Sequence, residues 1–423
     1  MKKLFKVLSL ALVAMMLVAC SGGSNGGESE KPAEKTQVVF WHTLTDHDEE
    51  MVQEIVEKFN ASQDEYEVVQ LTQPLDGFEA KVYEAVTNGT GPSLVWLYPG
   101  TATEYVDEGF SLDFGQYLTD ADYKNRVSEG VYEASTDYSD GKLHALVCTL
   151  TGSIMFYNKE LLEKYNLEIP TTWDELYDAC KTVVDGEKAE GNDIMGFGPD
   201  SVDVLGIDVL YQSGLSYIDA NNTANDWTDQ KFVDWIDWWK AAEAEGYFQL
   251  VDPEGYHSGP FGNQQYFCYM GSSAGMNYIT PNGFTIVTGP VPQVAGGRQY
   301  AELTARALVG FAKGDTTDAG AAAFASYFTQ PENNLPFCQK YSASTPFKDV
   351  ETSDVYKDYF NNSVAQQAFA SMLDYLYART AVVGQTTCKE AIIQALKTAV
   401  ISGEDTLTAL TAAQAQANAA LSE

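Results

Sequence analysis

QVVFWHTLTDHDEEMVQEIVEKF, residues 37–59, decides the fold. Gln37 to Trp41 is a short β-branched and aromatic run, and Met51, Ile55, Val56 and Phe59 then recur at helical spacing on one face. The reading is strand, loop, helix. It repeats at once, because Tyr66 to Leu71 gives a second strand, Phe78 to Asn88 a second helix, and Ser93 to Tyr98 a third strand broken by Pro99-Gly100. Strands alternating with helices build βαβ units and a mainly parallel sheet, whose ligands sit beyond the carboxyl ends of the strands. The loops after Trp41, Leu71 and Tyr98 are therefore expected at one edge.

Further along, an apolar stretch from Leu143 to Tyr157 runs into Asn158-Lys159-Glu160 and a helix beginning at Leu161. Pro170-Thr171-Thr172-Trp173-Asp174-Glu175 opens the next helix, with Thr172 as N-cap and Glu175 three residues on, the pattern of a capping box. Trp227, Phe232, Trp235, Trp238 and Trp239 follow, and the spacing of the last four by three and four reads as a core stripe in preference to a sugar platform. Strand-like runs return at Phe284 to Pro292 and Leu303 to Lys313. From Tyr356 onward the pattern is mostly helical, closing on the alanine-rich residues 405–421.

At the other end, Lys2, Lys3 and Lys6 precede an apolar run, Leu8 to Ala19, too short to span a bilayer as a mature helix. Residues 1–19 read as a signal peptide. Leu17-Val18-Ala19-Cys20 resembles a bacterial lipobox, in which an acylated Cys20 becomes the mature N-terminus; the alternative is an ordinary secretory signal with an incidental cysteine. Residues 20–36 then read as a lipid-anchored flexible tether, spanning roughly 20–25 Å as a coil. Nothing after Thr36 resembles a transmembrane segment, and what remains has the size of two domains.

The net charge of −35, or −38 without the three signal-peptide lysines, excludes nucleic acid and an anionic membrane surface as partners. Cys148, Cys180, Cys268, Cys338 and Cys388 have no short metal-ligand spacing and read as buried thiols. His42 and His47 lie near Asp46 and Asp48, but the spacing matches no familiar metal site. No metal or cofactor is expected.

Several stretches together resemble family 1 extracellular solute-binding proteins of carbohydrate-uptake ABC transporters. They are Val39-Phe40-Trp41-His42, Gly91-Pro92-Ser93-Leu94-Val95-Trp96, Gly152-Ser153-Ile154-Met155-Phe156-Tyr157-Asn158-Lys159-Glu160-Leu161-Leu162 and Pro170-Thr171-Thr172-Trp173-Asp174-Glu175-Leu176. The likeness extends through Gly271-Ser272-Ser273, Ala321 to Pro331 and Gly403 to Leu421. Phe40-Trp41-His42 and Val95 to Thr103 look most like the branch that binds glycerol 3-phosphate and its diesters. The resemblance implies an α/β, two-lobe periplasmic-binding-protein fold, with discontinuous lobes joined by hinge strands. One lobe is expected at residues 37–147 plus 284–345 and the other at 148–283 plus 346–423. It implies hinge closure on a small polar solute, a sugar or a glycerol phosphoester, and a membrane permease as partner. The expected protein is a monomer on the extracytoplasmic face of the cell membrane.

Candidate ligand contacts follow. Trp41 and His42 end the first strand, offering an aromatic face and an imidazole donor. The resemblance places Phe78 where the glycerol-phosphate branch carries a tyrosine, and sets Tyr98 beside Pro99, where that branch carries a glutamate. Thr151 and Ser153 flank Gly152 in a hinge-like stretch, and Ser272 and Ser273 offer hydroxyls and amides at a helix start. Arg306 and Arg379 are the arginines the resemblance puts near the cleft, Arg379 as the bidentate phosphate anchor. The second arginine of the branch is Val382 here. Tyr341 and Ser344 lie where the late chain returns to the cleft.

Gly271-Ser272-Ser273-Ala274-Gly275 also matches a hydrolase nucleophile elbow, but the last histidine is His257, so the order Ser, acid, His is not completed. A secreted carbohydrate- or ester-cleaving hydrolase is the alternative function, and a lipid-anchored adhesin or assembly protein a third. A binding protein without catalysis is the expectation.

Overall fold

The computed structural model describes residues 35–75, 77–118, 120–253, 255–379 and 382–422. The signal peptide, Cys20 and the tether up to residue 34 lie outside the described residues. Among the described residues nine strands follow one another: β1 (Thr36–His42), β2 (Tyr66–Thr72), β3 (Leu94–Leu97), β4 (Ala145–Asn158), β5 (Met195–Pro199), β6 (Tyr266–Ser272), β7 (Ile286–Gly289), β8 (Ala301–Gly310) and β9 (Leu376–Ala378). Their order in space is β2-β1-β3-β8-β4-β6-β5, with β7 also on β4 and β9 on β8.

β1 pairs in parallel with β2 through Val38 and Val68 and with β3 through Phe40 and Leu94. The carboxyl ends of these strands thus share an edge, as the βαβ pattern requires. The helix between β1 and β2, Asp46–Ser62, buries Val52, Ile55, Val56 and Phe59, while Met51 is only partly covered. The capping box forms as read: Glu175 N donates to Thr172 Oγ1 at 3.2 Å, and the Glu175 carboxylate accepts from Thr172 N at 3.2 Å. Such a cap stabilises its helix by about 1 kcal/mol.

β4 and β8 are the joints of the molecule. Ala145 to Val147 of β4 pair with Val309 to Ala307 of β8, and after a register shift at Val147/Thr149 the same strand pairs Ser153 to Tyr157 with Ser272 to Cys268 of β6. β8 pairs Ala301 to Leu303 with β9, then Ala307 to Gly310 with β3. Each strand serves both halves. A third crossing is held by the bridge between Leu150 and Ser344.

Two separate cores flank these crossings. Phe40, Phe59, Trp96, Phe114, Phe311, Phe324 and Phe337 belong to the first, and Phe156, Trp173, Phe197, Trp227, Trp239 and Tyr269 to the second. Trp227, Phe232 and Trp239 are buried and Trp235 and Trp238 pack on the same core, so the aromatic stripe is structural. The lobe limits differ from those expected. Phe284, Ile286, Val291 and Tyr300 pack in the second core because β7 pairs with the second half of β4, and Phe347, Val350 and Tyr356 pack in the first. Cys148, Cys180, Cys268, Cys338 and Cys388 are buried free thiols, with the sulfurs of Cys180 and Cys268 4.0 Å apart. Among the described residues no helix is long and apolar enough to cross a membrane.

Candidate functional site

Alternation along β1 sorts its last residues. Val38, Phe40 and His42 share the buried face, so His42 is fully covered, with Nε2 3.1 Å from Gln70 Oε1. Burial lowers its pKa and keeps the ring neutral near pH 7. The expectation of His42 as an edge donor is corrected by this parity. Trp41 is on the opposite face, partly exposed, with Lys81 Nζ 5.5 Å from its ring centre. Phe78 is 4% exposed and packs in the first core, so it is a core ring and offers no stacking face.

Tyr98, just beyond β3, meets Arg306 of β8. Arg306 Nη2 donates to the Tyr98 hydroxyl at 2.8 Å, and its guanidinium carbon lies 3.6 Å from the ring centre. Arg306 also bears on Tyr341, whose hydroxyl burial pushes up to about 12 against that pull. Three of the expected residues, from the loop after β3, from β8 and from the helix Pro331–Tyr341, thus act on one another.

On the hinge, Thr151 is buried and its hydroxyl donates to Thr304 O at 3.4 Å, while Ser153 stands opposite Ser272 in the β4–β6 ladder. Ser272 is exposed and caps the 3₁₀ turn Ser273–Tyr278 by accepting from Ala274 N at 3.2 Å. Ser273 Oγ is buried and has no partner among the described residues. Ser344 is not an open turn: its hydroxyl donates to Gln366 Oε1 at 2.6 Å. Asp200, after β5, accepts from His257 N at 2.6 Å and lies so close to Gly271 that an added Cβ would come within 2.8 Å of Oδ2. Beside His257, Tyr256 is 56% exposed, and its hydroxyl feels Asp200, Tyr98, Arg306 and Lys389. Tyr256 and Lys389 are missed by sequence reasoning. A loop tyrosine carries no periodic signal, and the cue at Tyr256 is Gly255, whose φ of 102° turns the chain there.

Arg379 is not a free anion anchor. Its Nε and Nη2 donate to Glu302 at 3.1, 2.9 and 2.8 Å, and Nη2 also reaches Asp203 Oδ2 at 3.0 Å. Both carboxylates are nearly buried, so the guanidinium is consumed in satisfying them. Burial pushes the Asp203 carboxyl up, but Arg379 and Lys389 outweigh it and leave the group below its ordinary range. Glu302 is lifted by burial, and Asp208, fully buried and accepting from Glu302 N at 3.0 Å, is lifted well above its ordinary range by burial and by Glu302. Asp208 Oδ2 has no partner among the described residues.

The lobes also touch at their rims. Tyr278 donates to Asp48 Oδ2 at 2.7 Å, Asn277 to the carbonyl of Lys340, and Gly384 N to Glu104 Oε1 at 3.4 Å. Next to the last contact a cavity of about 190 Å³ lies between Glu79, Tyr83 and Glu104 on one side and Gln385 and Thr386 on the other.

Residues 54–363 match the model of a family described as bacterial extracellular solute-binding protein. A curated relative, the sn-glycerol-3-phosphate-binding periplasmic protein UgpB of Brucella abortus, is 26% identical over 176 residues, 38% of each chain, so the match spans little more than a third of that relative's length. Among solved structures, the GacH receptor of Streptomyces glaucescens, determined unliganded and with acarbose, superposes with a TM-score of 0.81 at 16% identity, over 92% of this chain and 99% of that one. UgpB of Mycobacterium tuberculosis in complex with glycerophosphocholine superposes with a TM-score of 0.78 at 14% identity, over 92% and 99%. These likenesses carry the two-lobe periplasmic-binding-protein fold. With the family match spanning most of the chain, this protein belongs to the bacterial extracellular solute-binding proteins.

Proposed function

We propose that this protein captures a small polar solute, a sugar or a glycerol phosphoester, between its two lobes and hands it unaltered to the membrane permease of an ABC importer. The observation that carries the reading is the pair of separately packed cores joined by β4 and β8, with Tyr98, Arg306 and Tyr256 gathered where the two meet. Strands that serve two cores permit hinge motion, and a solute that touches both lobes shifts the equilibrium toward closure. Cys20 acylation would hold the monomer at the outer face of the cell membrane.

Catalysis is not part of this reading. Ser273 Oγ has no partner to act as its base among the described residues, and its buried position fits a turn residue. The test is a thermal-shift screen of the mature protein against sugars and glycerol phosphoesters, followed by mass analysis of whatever stabilises it. A raised melting point with the compound recovered intact supports the receptor; turnover of that compound refutes it.

A further inference from the structure

We infer that Arg306 and Lys389, one from each lobe, form the anchor for an oxyanion, so that the solute is a phosphoester and not a neutral sugar. This rests on the receptor reading above.

The two cations meet on one ring. Arg306 lies over Tyr98 with its guanidinium carbon 3.6 Å from the ring centre, and Lys389 Nζ is 5.8 Å from the same centre. Arg306 belongs to β8, opposite Thr149 of β4 and one residue before the stretch that pairs with β3, while Lys389 belongs to the helix Gln385–Val400, which packs in the second core. Both are partly buried. Neither is in an ion pair among the described residues. Arg306 donates instead to the Tyr98 hydroxyl.

Nearby carboxylates do not remove the need for an anion. Asp203 bears on Lys389, but it is already bonded to Arg379 at 3.0 Å, and Glu302 is held by the same arginine. Glu79 also bears on Lys389 but lines the neighbouring cavity. Asp200 stands across the β5 and β6 ends, bonded to the amide of His257.

Closure carries the argument further. Like charges fixed to different lobes repel as the lobes approach, and in a half-dry cleft that repulsion is screened less than in water. An anion lodged between them reverses the sign of this contribution in the closed state alone. That differential contact lets a ligand drive closure. A planar guanidinium held by a ring and a hydroxyl also has its remaining N–H groups preorganised for a phosphoryl group, with the ammonium as a point charge opposite.

The experiment is titration calorimetry of the full mature protein at low and high salt with glycerol 3-phosphate, glycerophosphocholine, inorganic phosphate and maltotriose, on the native chain and on Arg306→Gln, Lys389→Gln and Arg298→Gln. Arg298 stacks on Tyr300 and Tyr377 and serves as the charge control. The expected result is binding of a phosphoester that weakens with salt, falls about a hundredfold in Arg306→Gln and about tenfold in Lys389→Gln, and stays unchanged in Arg298→Gln. The monoester and diester arms tell which phosphoester fits, and binding of inorganic phosphate alone to Arg306 and Lys389 still supports the anchor. Tight maltotriose binding with no response to any phosphate compound overturns the inference while leaving the receptor intact. Full phosphoester affinity in both substituted proteins, each with a native melting curve, overturns it as well. No heat from either class of compound overturns the inference and the receptor reading together.

Discussion

The Tyr278 hydroxyl donates to Asp48 Oδ2 at 2.7 Å, joining the 3₁₀ turn after β6 to the helix Asp46–Ser62 across the lobe boundary. His47 packs its ring 4.9 Å from that of Tyr278 and places Nε2 3.1 Å from the other Asp48 oxygen. A hydrogen bond of this kind exists only while the lobes are together, so it favours the closed form without touching the solute.

Removing that hydroxyl therefore acts on closure. Tyr278→Phe keeps the ring contact and loses a bond of about 1 kcal/mol, which corresponds to about a fivefold shift toward the open form. Stopped-flow release of bound solute is expected to quicken by about that factor, with little change in the melting point of the empty protein. An unchanged release rate would mean that the contact contributes nothing to closure.

Arg379 holds two nearly buried carboxylates, so its loss is a matter of stability. Arg379→Ala leaves Glu302 and Asp203 uncompensated and is expected to destabilise the second lobe by about 3–5 kcal/mol in urea denaturation. Replacing Glu302 and Asp203 by Gln and Asn in the same chain restores much of the loss. A stable Arg379→Ala protein with abolished solute binding would return Arg379 to the role of ligand anchor.

The folded-state pKa of Asp208 lies above its unfolded value, because burial and Glu302 both oppose its charge. Folding then takes up a proton there. The stabilising contribution is complete below about pH 4, near the unfolded pKa, and fades as pH rises through the raised folded value. Asp208→Asn cannot titrate, so its stability relative to the native chain is expected to grow between pH 4.5 and pH 7.5. Parallel stability curves over that range would show that Asp208 is ionised in both states.

All five cysteines of the folded body are buried thiols, and burial raises the pKa of Cys148 and Cys338. A thiol-specific chromogenic reagent is expected to find none in the native body and five in denaturant under reducing conditions. Fast native labelling of one or more would contradict the packing around Cys148, Cys180 or Cys268.

What was legible in the sequence was what neighbours in sequence decide. The β1 strand and its helix, the Thr172 capping box and the tryptophan stripe each depend on spacings of a few residues, and each formed. Even the fate of His42 was written there, because it has the same strand parity as Phe40. Arg379 is the opposite case. Its partners Glu302 and Asp203 lie 77 and 176 residues away, and only the pairing of β9 with β8 brings the first of them alongside. The resemblance marked Arg379 and Arg306 alike; which of the two is already satisfied depends on the folded chain. Lys389, on a helix, carried no local signal, and Tyr256, in a loop, had only the turn at Gly255 beside it.

Closure of two lobes on a solute is most directly tested by an interlobe distance. With the native thiols buried, Ser62→Cys on the first lobe and Lys188→Cys on the second place dyes at exposed positions for energy-transfer measurement. The distance is expected to shorten when a stabilising solute is added and to recover when it is dialysed away. A distance that stays fixed while the same solute raises the melting point would contradict the account.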